Sequence, residues 1–277
     1  MNCYLQKISF YLKLIMIISF ILIFSSRGNG QHKTFEIRHF SVSNELHLQG
    51  VAVDMDYFYA ISNSIISKQR KSDGSFVAIW DGSKAGVIRH LNSGVVIGNK
   101  LYCANSNFPD TPMASSIEIY DTRTMKHIGN HSFGIYRGSA TWIDKKDGFW
   151  WVVFANYNGK HSFAGRDNRW TTLVKFTDQW IEVGAWVYPK EVLEDFSPNS
   201  NSGGNWSKDG MLYLTGHDKK EMYIMKLPTI GYTLQLVLKV PIANPGQAFA
   251  IDRSEKGREV IYAINRAENA VVVEEIK

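Results

Sequence analysis

One order of polar and apolar positions recurs along this chain. Each copy has a polar entry, a short apolar run, a turn, a second apolar run and a polar exit, which is the pattern of a β-hairpin with polar groups at its open end. The five copies begin at Leu48, His90, Gly138, Asn201 and Gly246. Because the whole phrase returns, and not only its apolar runs, the pattern indicates a structural repeat.

The copies share a register as well as an order. Counting back five positions from each turn places one small polar residue or glutamine in every copy. These residues are Gln49, Ser93, Ser139, Ser202 and Gln247, with separations of 44, 46, 63 and 45 residues. A period in the forties with short strands predicts an all-β β-propeller with one four-stranded blade per repeat. We expect five blades, with six as the alternative, since the 63-residue interval contains only four strand-like runs.

The two ends of the repeated region complement each other. Residues 34–42 alternate as a strand does but precede the first copy, and the last copy is followed by only one further strand, from Ala270. We therefore predict that the N-terminal strand is the outer strand of the last blade and closes the ring, so that no sheet edge remains at the seam. Two segments lengthen the third blade, a polar loop at 158–169 and a segment at 189–199 that contains a helical turn, KEVLEDF.

The first thirty residues have a different pattern. Lys7 and Lys13 precede an apolar run at residues 14–24, and small residues follow. This is typical of a secretory signal peptide, and eleven apolar residues are fewer than the roughly 20 needed to span a bilayer. The sequence thus predicts a signal at 1–30, a propeller domain at 31–277 and a secreted or periplasmic protein, with an uncleaved anchor as the alternative.

Composition narrows the possible partners. Cleavage removes three of the 31 basic residues and none of the 26 acidic ones, leaving 28 against 26 and a net charge of +2. Without a clustered basic stripe we expect no nucleic-acid partner, and after cleavage no membrane association. We expect a monomer. The one cysteine that remains, Cys103, lies within an apolar strand, so we interpret it as a core residue.

The polar entries and exits of the hairpins predict a polar site at the mouth of the central channel. Loops that enter the first strand and leave the second strand of each blade lie on the same face of a propeller. Amide and hydroxyl groups both donate and accept hydrogen bonds, so this mouth suits a small polar molecule such as a hydroxy acid, a lactone or a saccharide. The candidate binding residues are Gln49, Asn63, His90, Asn92, Asn105, Arg137, Ser139, Asn156, Asn201, Gln247 and Asn265.

Three residues stand out as catalytic candidates. His217 is the only titratable residue at its repeat position, and histidine can move a proton near neutral pH. Asp218 follows it, and Arg266 could hold a substrate carboxylate by paired hydrogen bonds, as could Arg137. Structural roles for these polar groups remain the competing interpretation, because backbone ends and channel waters also need partners.

The residues that several kinds of enzyme and metal site require are missing from the repeated positions at the mouth. The repeated mouth positions contain no pair of carboxylates of the kind that glycoside hydrolysis uses, and no convergent set of metal ligands is visible. We therefore expect no metal and no other cofactor.

The chain resembles a group of exported bacterial β-propeller proteins commonly labelled cycloisomerases. The resemblance extends from about Gln49 to Val273 and is clearest in LNSGVVIGNKLYCANSN, SIEIYDTRTMKHIGNHSFGIYRGSATWID and SNSGGNWSKDGMLYLTGHD. It implies kinship with propeller enzymes that close carboxylated muconates to lactones and, in architecture, with lactonase propellers. The implied activity is a metal-free isomerase or lactonase, in which an arginine holds the carboxylate and His217 transfers the proton.

Two other functions remain open at this point. A non-catalytic propeller could bind a carbohydrate or another ligand through its amide-rich mouth and through aromatic residues such as Tyr157 and Trp206. A protein-interaction platform would instead present a large apolar patch. Whether His217 points toward the mouth distinguishes the enzyme from the binding module.

Overall fold

The computed structural model describes residues 34–43, 46–84, 86, 88–163 and 165–277. Within these residues twenty β-strands form five antiparallel sheets of four strands each. This arrangement confirms the prediction of an all-β propeller with five blades rather than six. The predicted signal peptide lies outside the described residues.

Each repeat of the sequence supplies one blade, and the strands run outward from the axis in chain order. Blade one contains β2 (Leu48–Val53), β3 (Tyr57–Ser62), β4 (Ile65–Arg70) and β5 (Phe76–Asp81). Blade two contains β6 (His90–Ile97), β7 (Lys100–Ser106), β8 (Ala114–Asp121) and β9 (Lys126–Ile135). Blade three contains β10 (Ser139–Lys146), β11 (Phe149–Ala155), β12 (Thr172–Phe176) and β13 (Glu182–Val187). Blade four contains β14 (Gly203–Trp206), β15 (Leu212–Thr215), β16 (Glu221–Lys226) and β17 (Gln235–Pro241).

The last blade joins the two ends of the propeller. It is formed by β18 (Phe249–Ile251), β19 (Glu259–Asn265), β20 (Ala270–Ile276) and, outermost, β1 (Thr34–Ser41). The pairing of β1 with β20 is antiparallel and extends along both strands. The predicted closure of the ring by the N-terminal strand is confirmed.

Apolar side chains fill the space between neighbouring blades. The buried hydrophobic residues of the described chain form five clusters, one at each interface between blades. Trp142 and Trp206 belong to the cluster between blades three and four, and Phe40 and Phe58 stack at 5.0 Å beside the seam. Cys103 is fully buried between blades one and two, which confirms its interpretation as a core residue.

The first strands of adjacent blades neighbour one another around the axis. Glycine permits their close approach at two points. A Cβ atom at Gly50 would lie 2.6 Å from the carbonyl oxygen of Asn92, and one at Gly203 would lie 2.8 Å from that of Gln247. Only a residue without a side chain fits between these backbones, so the narrow ring depends on glycine there.

The extra length of blade three lies on the face that carries the predicted mouth. Two 3₁₀ turns, Gly159–His161 and Asn168–Trp170, follow β11, and the helix α1 (Lys190–Phe196) follows β13. This helix coincides with the predicted KEVLEDF turn and buries Phe196 against Tyr223 of blade four at 5.0 Å. No helix in the described part of the chain is long and apolar enough to cross a bilayer.

Candidate functional site

A cavity of about 420 Å³ opens at the mouth between blades five and one. It is lined by Leu46, His47, Leu48, Gln49, Arg266 and Asn269. Arg266 directly follows β19 and Gln49 lies in β2, so the exit of one hairpin meets the entry of another. This is the meeting of polar groups that the repeat predicts.

Arg266 is the central cation of this cavity. Its Nε donates to the carbonyl oxygen of Leu48 at 2.8 Å, one Nη donates to the side-chain oxygen of Gln49, and the other lies 3.4 Å from Nε2 of His217. None of these three partners is a carboxylate, and no carboxylate of the described residues forms an ion pair with this guanidinium. Burial lowers the pKa of Arg266, and the nearby charge of Asp218 opposes that shift. Arg266 therefore presents a positive charge that an incoming anion could neutralise.

His217 is held between Asp218 and Arg266. Its Nδ1 lies 2.5 Å from Oδ1 of Asp218, and the other carboxylate oxygen accepts from the side-chain amide of Asn199 at 2.9 Å. A guanidinium can only donate, so Nε2 of His217 accepts and Nδ1 carries the hydrogen that Asp218 accepts. His217 therefore points its acceptor nitrogen toward the cavity of Arg266, as a catalytic base would.

Asn199 was not among the residues predicted from sequence. It belongs to the segment after α1, and nothing in its local pattern distinguishes it from other loop asparagines. Only the fold brings it to Asp218, which is 19 positions away. The long insertion of blade three thus supports the histidine of blade four.

Gln247 positions the backbone of His217. Its side-chain amide donates to the carbonyl oxygen of His217 at 3.0 Å, and its own backbone N–H donates to that of Gly216 at 2.8 Å. Gln247 has a φ of +73°, a left-handed conformation that costs a non-glycine residue free energy. Such conformations cluster at functional sites, where the surrounding structure holds them in place.

His90 approaches the same mouth from blade two. Its Nδ1 lies 3.0 Å from the side-chain oxygen of Asn63, and its backbone N–H donates to that of Asn105 at 3.3 Å. Burial, and then the charge of Arg266, lower the pKa of His90 to about 4. His90 is thus neutral near neutral pH, and His217 is the better placed of the two for proton transfer.

Aromatic side chains complete the mouth on the side of blades two and three. The ring of Phe108 lies 5.2 Å from that of His90 and 4.9 Å from those of Tyr157 and His161. Burial raises the pKa of Tyr157 to about 12, and a hydrogen bond with Ser139 opposes the shift. The hydroxyl of Ser139 also lies 2.7 Å from that of Ser106. Phe108 was not predicted, because it lies beyond the repeated hairpin in a loop without a shared register.

The remaining asparagines of the predicted set have partners within the fold. Asn201 is fully buried, where it accepts from Trp142 and Tyr188 and donates to two backbone carbonyls. Asn92 is buried and accepts from the next backbone N–H. Asn156 donates to two carbonyl oxygens at 3.1 Å, and Asn265 accepts from a backbone N–H in a turn at 3.3 Å.

Arg137 lies outside this arrangement. Its guanidinium donates to Glu182 at 2.9 Å, at the start of the outer strand of its own blade, and stands 5.5 Å from the ring of Phe154. The structure therefore brings together Gln49, His217, Asp218, Gln247 and Arg266, with Asn63 and His90 nearby. Within the described residues no three His, Cys, Asp or Glu side chains converge to form a possible metal site.

No protein-family model matches the chain, and no curated protein matches it. Among solved structures it is similar to the glutaminyl cyclase of Myxococcus xanthus, with a TM-score of 0.59 and 12% identity over 89% of this chain and 98% of that one. It is also similar to the PQQ-bound aldose sugar dehydrogenase of Streptomyces coelicolor, with a TM-score of 0.54 and 9% identity over 90% of this chain and 99% of that one. At these identities the chain shares the β-propeller fold of two enzymes.

Proposed function

We propose that the protein is a propeller enzyme that closes or opens a ring in a small carboxylated molecule, as a cycloisomerase or lactonase does. One observation carries the proposal: His217 is held by Asp218 and points its acceptor nitrogen at Arg266, a cation that pairs with no carboxylate of the described residues. The comparisons are consistent with an enzyme, since the two structures named above bear enzyme names and one of them is a cyclase.

In this proposal Arg266 anchors the substrate. A carboxylate that enters the cavity takes charge-assisted hydrogen bonds from the guanidinium, while Gln49 and the carbonyl of Leu48 hold the rest of the guanidinium in place. Binding at this point places the remainder of the substrate beside His217, which is 3.4 Å from the same guanidinium. Recognition and proton transfer would then share one small volume.

His217 moves the proton. In a lactonase, Nε2 would take a proton from water, the water oxygen would bond to the lactone carbonyl carbon, the acyl C–O bond would break, and the proton would pass to the released alkoxide. In a cycloisomerase, ring opening begins when Nε2 takes a proton from the carbon next to the ring C–O bond; the electron pair of that C–H bond forms a carbon–carbon double bond, and the C–O bond breaks to release a carboxylate. Ring closure is the reverse: a carboxylate oxygen of the substrate adds to the double bond, and the imidazolium returns the proton to the adjacent carbon. Asp218 stabilises the imidazolium, and solvent exchanges the proton with the exposed pair.

We further propose that this chemistry takes place outside the cytoplasm, because residues 1–30 have the features of a secretory signal. A small diffusible carboxylate or lactone would reach the mouth directly from solvent. The partner is then a small molecule, and the protein acts as a monomer.

The first test uses the mature chain with sugars, aldonolactones and unsaturated dicarboxylates as probes. A ligand that binds the native state raises the melting temperature. We expect a lactone or a dicarboxylate to raise it and to be converted. We expect His217→Gln to lower turnover about 10²- to 10⁴-fold while the ligand-induced shift in melting temperature remains. His39→Gln, on the outer strand β1, is the matched control and should retain full turnover.

Two outcomes would contradict this proposal, the first for the enzyme and the second for the role of His217. If only saccharides stabilise the protein and none is converted, it is a binding module. If a lactone is converted equally well by His217→Gln, the proton passes through another group.

A further inference from the structure

The mouth of the channel is divided into two chemically different halves. Blades four, five and one contribute the charged half, which is formed by His217, Asp218, Arg266 and Gln49. Blades two and three contribute the aromatic half, which is formed by His90, Phe108, Tyr157 and His161. A ligand bound at the charged half is therefore offered a second, apolar contact across the mouth.

Phe108 is the centre of the aromatic half. Three rings surround it with centroids at 4.9 to 5.2 Å and interplanar angles of 39° to 50°, and it remains partly exposed. Its loop is fixed by its own hydrogen bonds. The N–H of Phe108 donates to the hydroxyl of Ser106 at 3.3 Å, and the side chain of Asn107 accepts from Ala114 at 2.8 Å and donates to Pro112 at 3.1 Å. A ring fixed in this way offers a stacking surface at little cost in conformational entropy.

His90 connects the two halves. Its ring packs against Phe108, and its Nδ1 is within hydrogen-bond distance of the side chain of Asn63. The charge of Arg266 contributes to the lowered pKa of His90. Because the imidazole is neutral near neutral pH, it extends the aromatic surface and adds no second charge beside the guanidinium. His90 thus contacts Phe108 and also lies within range of the charge of Arg266.

We propose that the mouth selects carboxylates that carry a flat, unsaturated or aromatic group, which lies against Phe108 while the carboxylate is bound by Arg266. This proposal rests on the proposed function only in taking Arg266 as the anchor. A neutral saccharide would leave the guanidinium without an anion, and a puckered saturated ring would lose most of the face-to-face contact. Contacts between aromatic groups correspond to roughly a three- to tenfold gain in affinity.

Matched probes separate the two contributions. Benzoate and cyclohexanecarboxylate have the same charge and the same ring size, but only benzoate is flat, and benzyl alcohol lacks the anion. In calorimetric titrations of the mature protein we expect benzoate to bind at least threefold more tightly than cyclohexanecarboxylate, and benzyl alcohol at least tenfold more weakly than benzoate.

Substitutions then assign each contribution to a residue. Phe108→Leu should remove the preference for benzoate and leave the affinity for cyclohexanecarboxylate within twofold, whereas Phe108→Tyr should keep the preference. Arg266→Gln should lower the affinity for both carboxylates by the same factor. Phe76→Leu, an exposed phenylalanine on β5, is the control and should change neither affinity.

The outcomes distinguish this inference from the proposed function. Equal binding of the two carboxylates, no binding of either, or a preference that survives Phe108→Leu would overturn the inference even if a lactone is converted. A preference that depends on Phe108 in a protein without turnover would uphold the inference and reject the enzyme.

Discussion

Two histidines at one mouth differ because their surroundings differ. His217 has a partly exposed side chain, a carboxylate on one nitrogen and a guanidinium near the other. His90 has no carboxylate partner among the described residues, is mostly enclosed, and lies within reach of the charge of Arg266. Both residues occupy polar ends of the sequence repeat, and neither pattern predicts which neighbours surround each imidazole. Their roles are set by neighbours from other blades.

His90 gives a pH dependence whose direction follows from its pKa. Its folded value of about 4 lies below the usual 6.5, so between these pH values the unfolded chain binds a proton that the folded chain does not. The free energy of unfolding should therefore rise with pH from about 4 to 6.5, by on the order of 2 to 3 kcal/mol in total.

Urea titrations of wild type and His90→Gln between pH 4 and 7.5 measure this contribution. The variant keeps a donor for Asn63 and cannot titrate, so its stability should change less across the window. Parallel profiles for the two proteins would show that His90 is not responsible.

The elements of this fold were largely predictable. Paired apolar runs between a polar entry and a polar exit located each central hairpin, since a strand buried on both faces reads as a continuous apolar run. The apolar spacing of KEVLEDF located α1. The local pattern did not predict which residues of other blades each element contacts. The contact between Asn199 and Asp218, and the place of Phe108, depend on loops that have no shared register.

Gly50 tests how closely the inner strands must approach. In Gly50→Ala the new Cβ would lie 2.6 Å from the carbonyl oxygen of Asn92 and 2.8 Å from the Cα of Ser93, so β2 or β6 must move. We expect a loss of about 1 to 3 kcal/mol in the free energy of unfolding, measured by urea titration.

Gly129→Ala is the matched control. Gly129 lies in the outer strand β9, where a Cβ meets no atom within 4 Å. This variant should be as stable as the wild type or more so. Equal stability of Gly50→Ala and Gly129→Ala would show that the inner strands can accommodate a Cβ atom at position 50.

At the scale of the whole molecule, polar contacts also cross between blades that are far apart in sequence. Asp144 of blade three is fully buried, accepts from the backbone N–H of Trp206 in blade four at 2.8 Å, and pairs with Arg253 of blade five at 2.6 Å. Three blades therefore meet at one carboxylate. Together with the pairing of β1 and β20, this contact links parts of the ring that are distant in sequence.

Removing Arg253 leaves the buried carboxylate without its cation. We expect Arg253→Met to lower the free energy of unfolding by about 1 to 3 kcal/mol, a range reduced by the partial exposure of the arginine. Arg123→Met is the control, because Arg123 is exposed and pairs with Asp121 in its own turn, so its loss should cost less than about 1 kcal/mol. Equal losses in the two variants would show that the contact between blades adds nothing.

The sequence by itself predicted the repeat, five blades with six as the alternative, and the strand that closes the ring. These follow from periodicity, because every blade needs the same apolar inner strands and the same turns, which leaves a repeat that can be counted. Only the tertiary structure decided which mouth residues act together. It joined His217 to Arg266 and Asp218 to Asn199, used Asn201 and Asn156 within the fold, turned Arg137 toward Glu182, and packed Phe108 against His90. A hydrogen bond depends on distance and direction between residues from different blades, and the local pattern of a single blade contains neither.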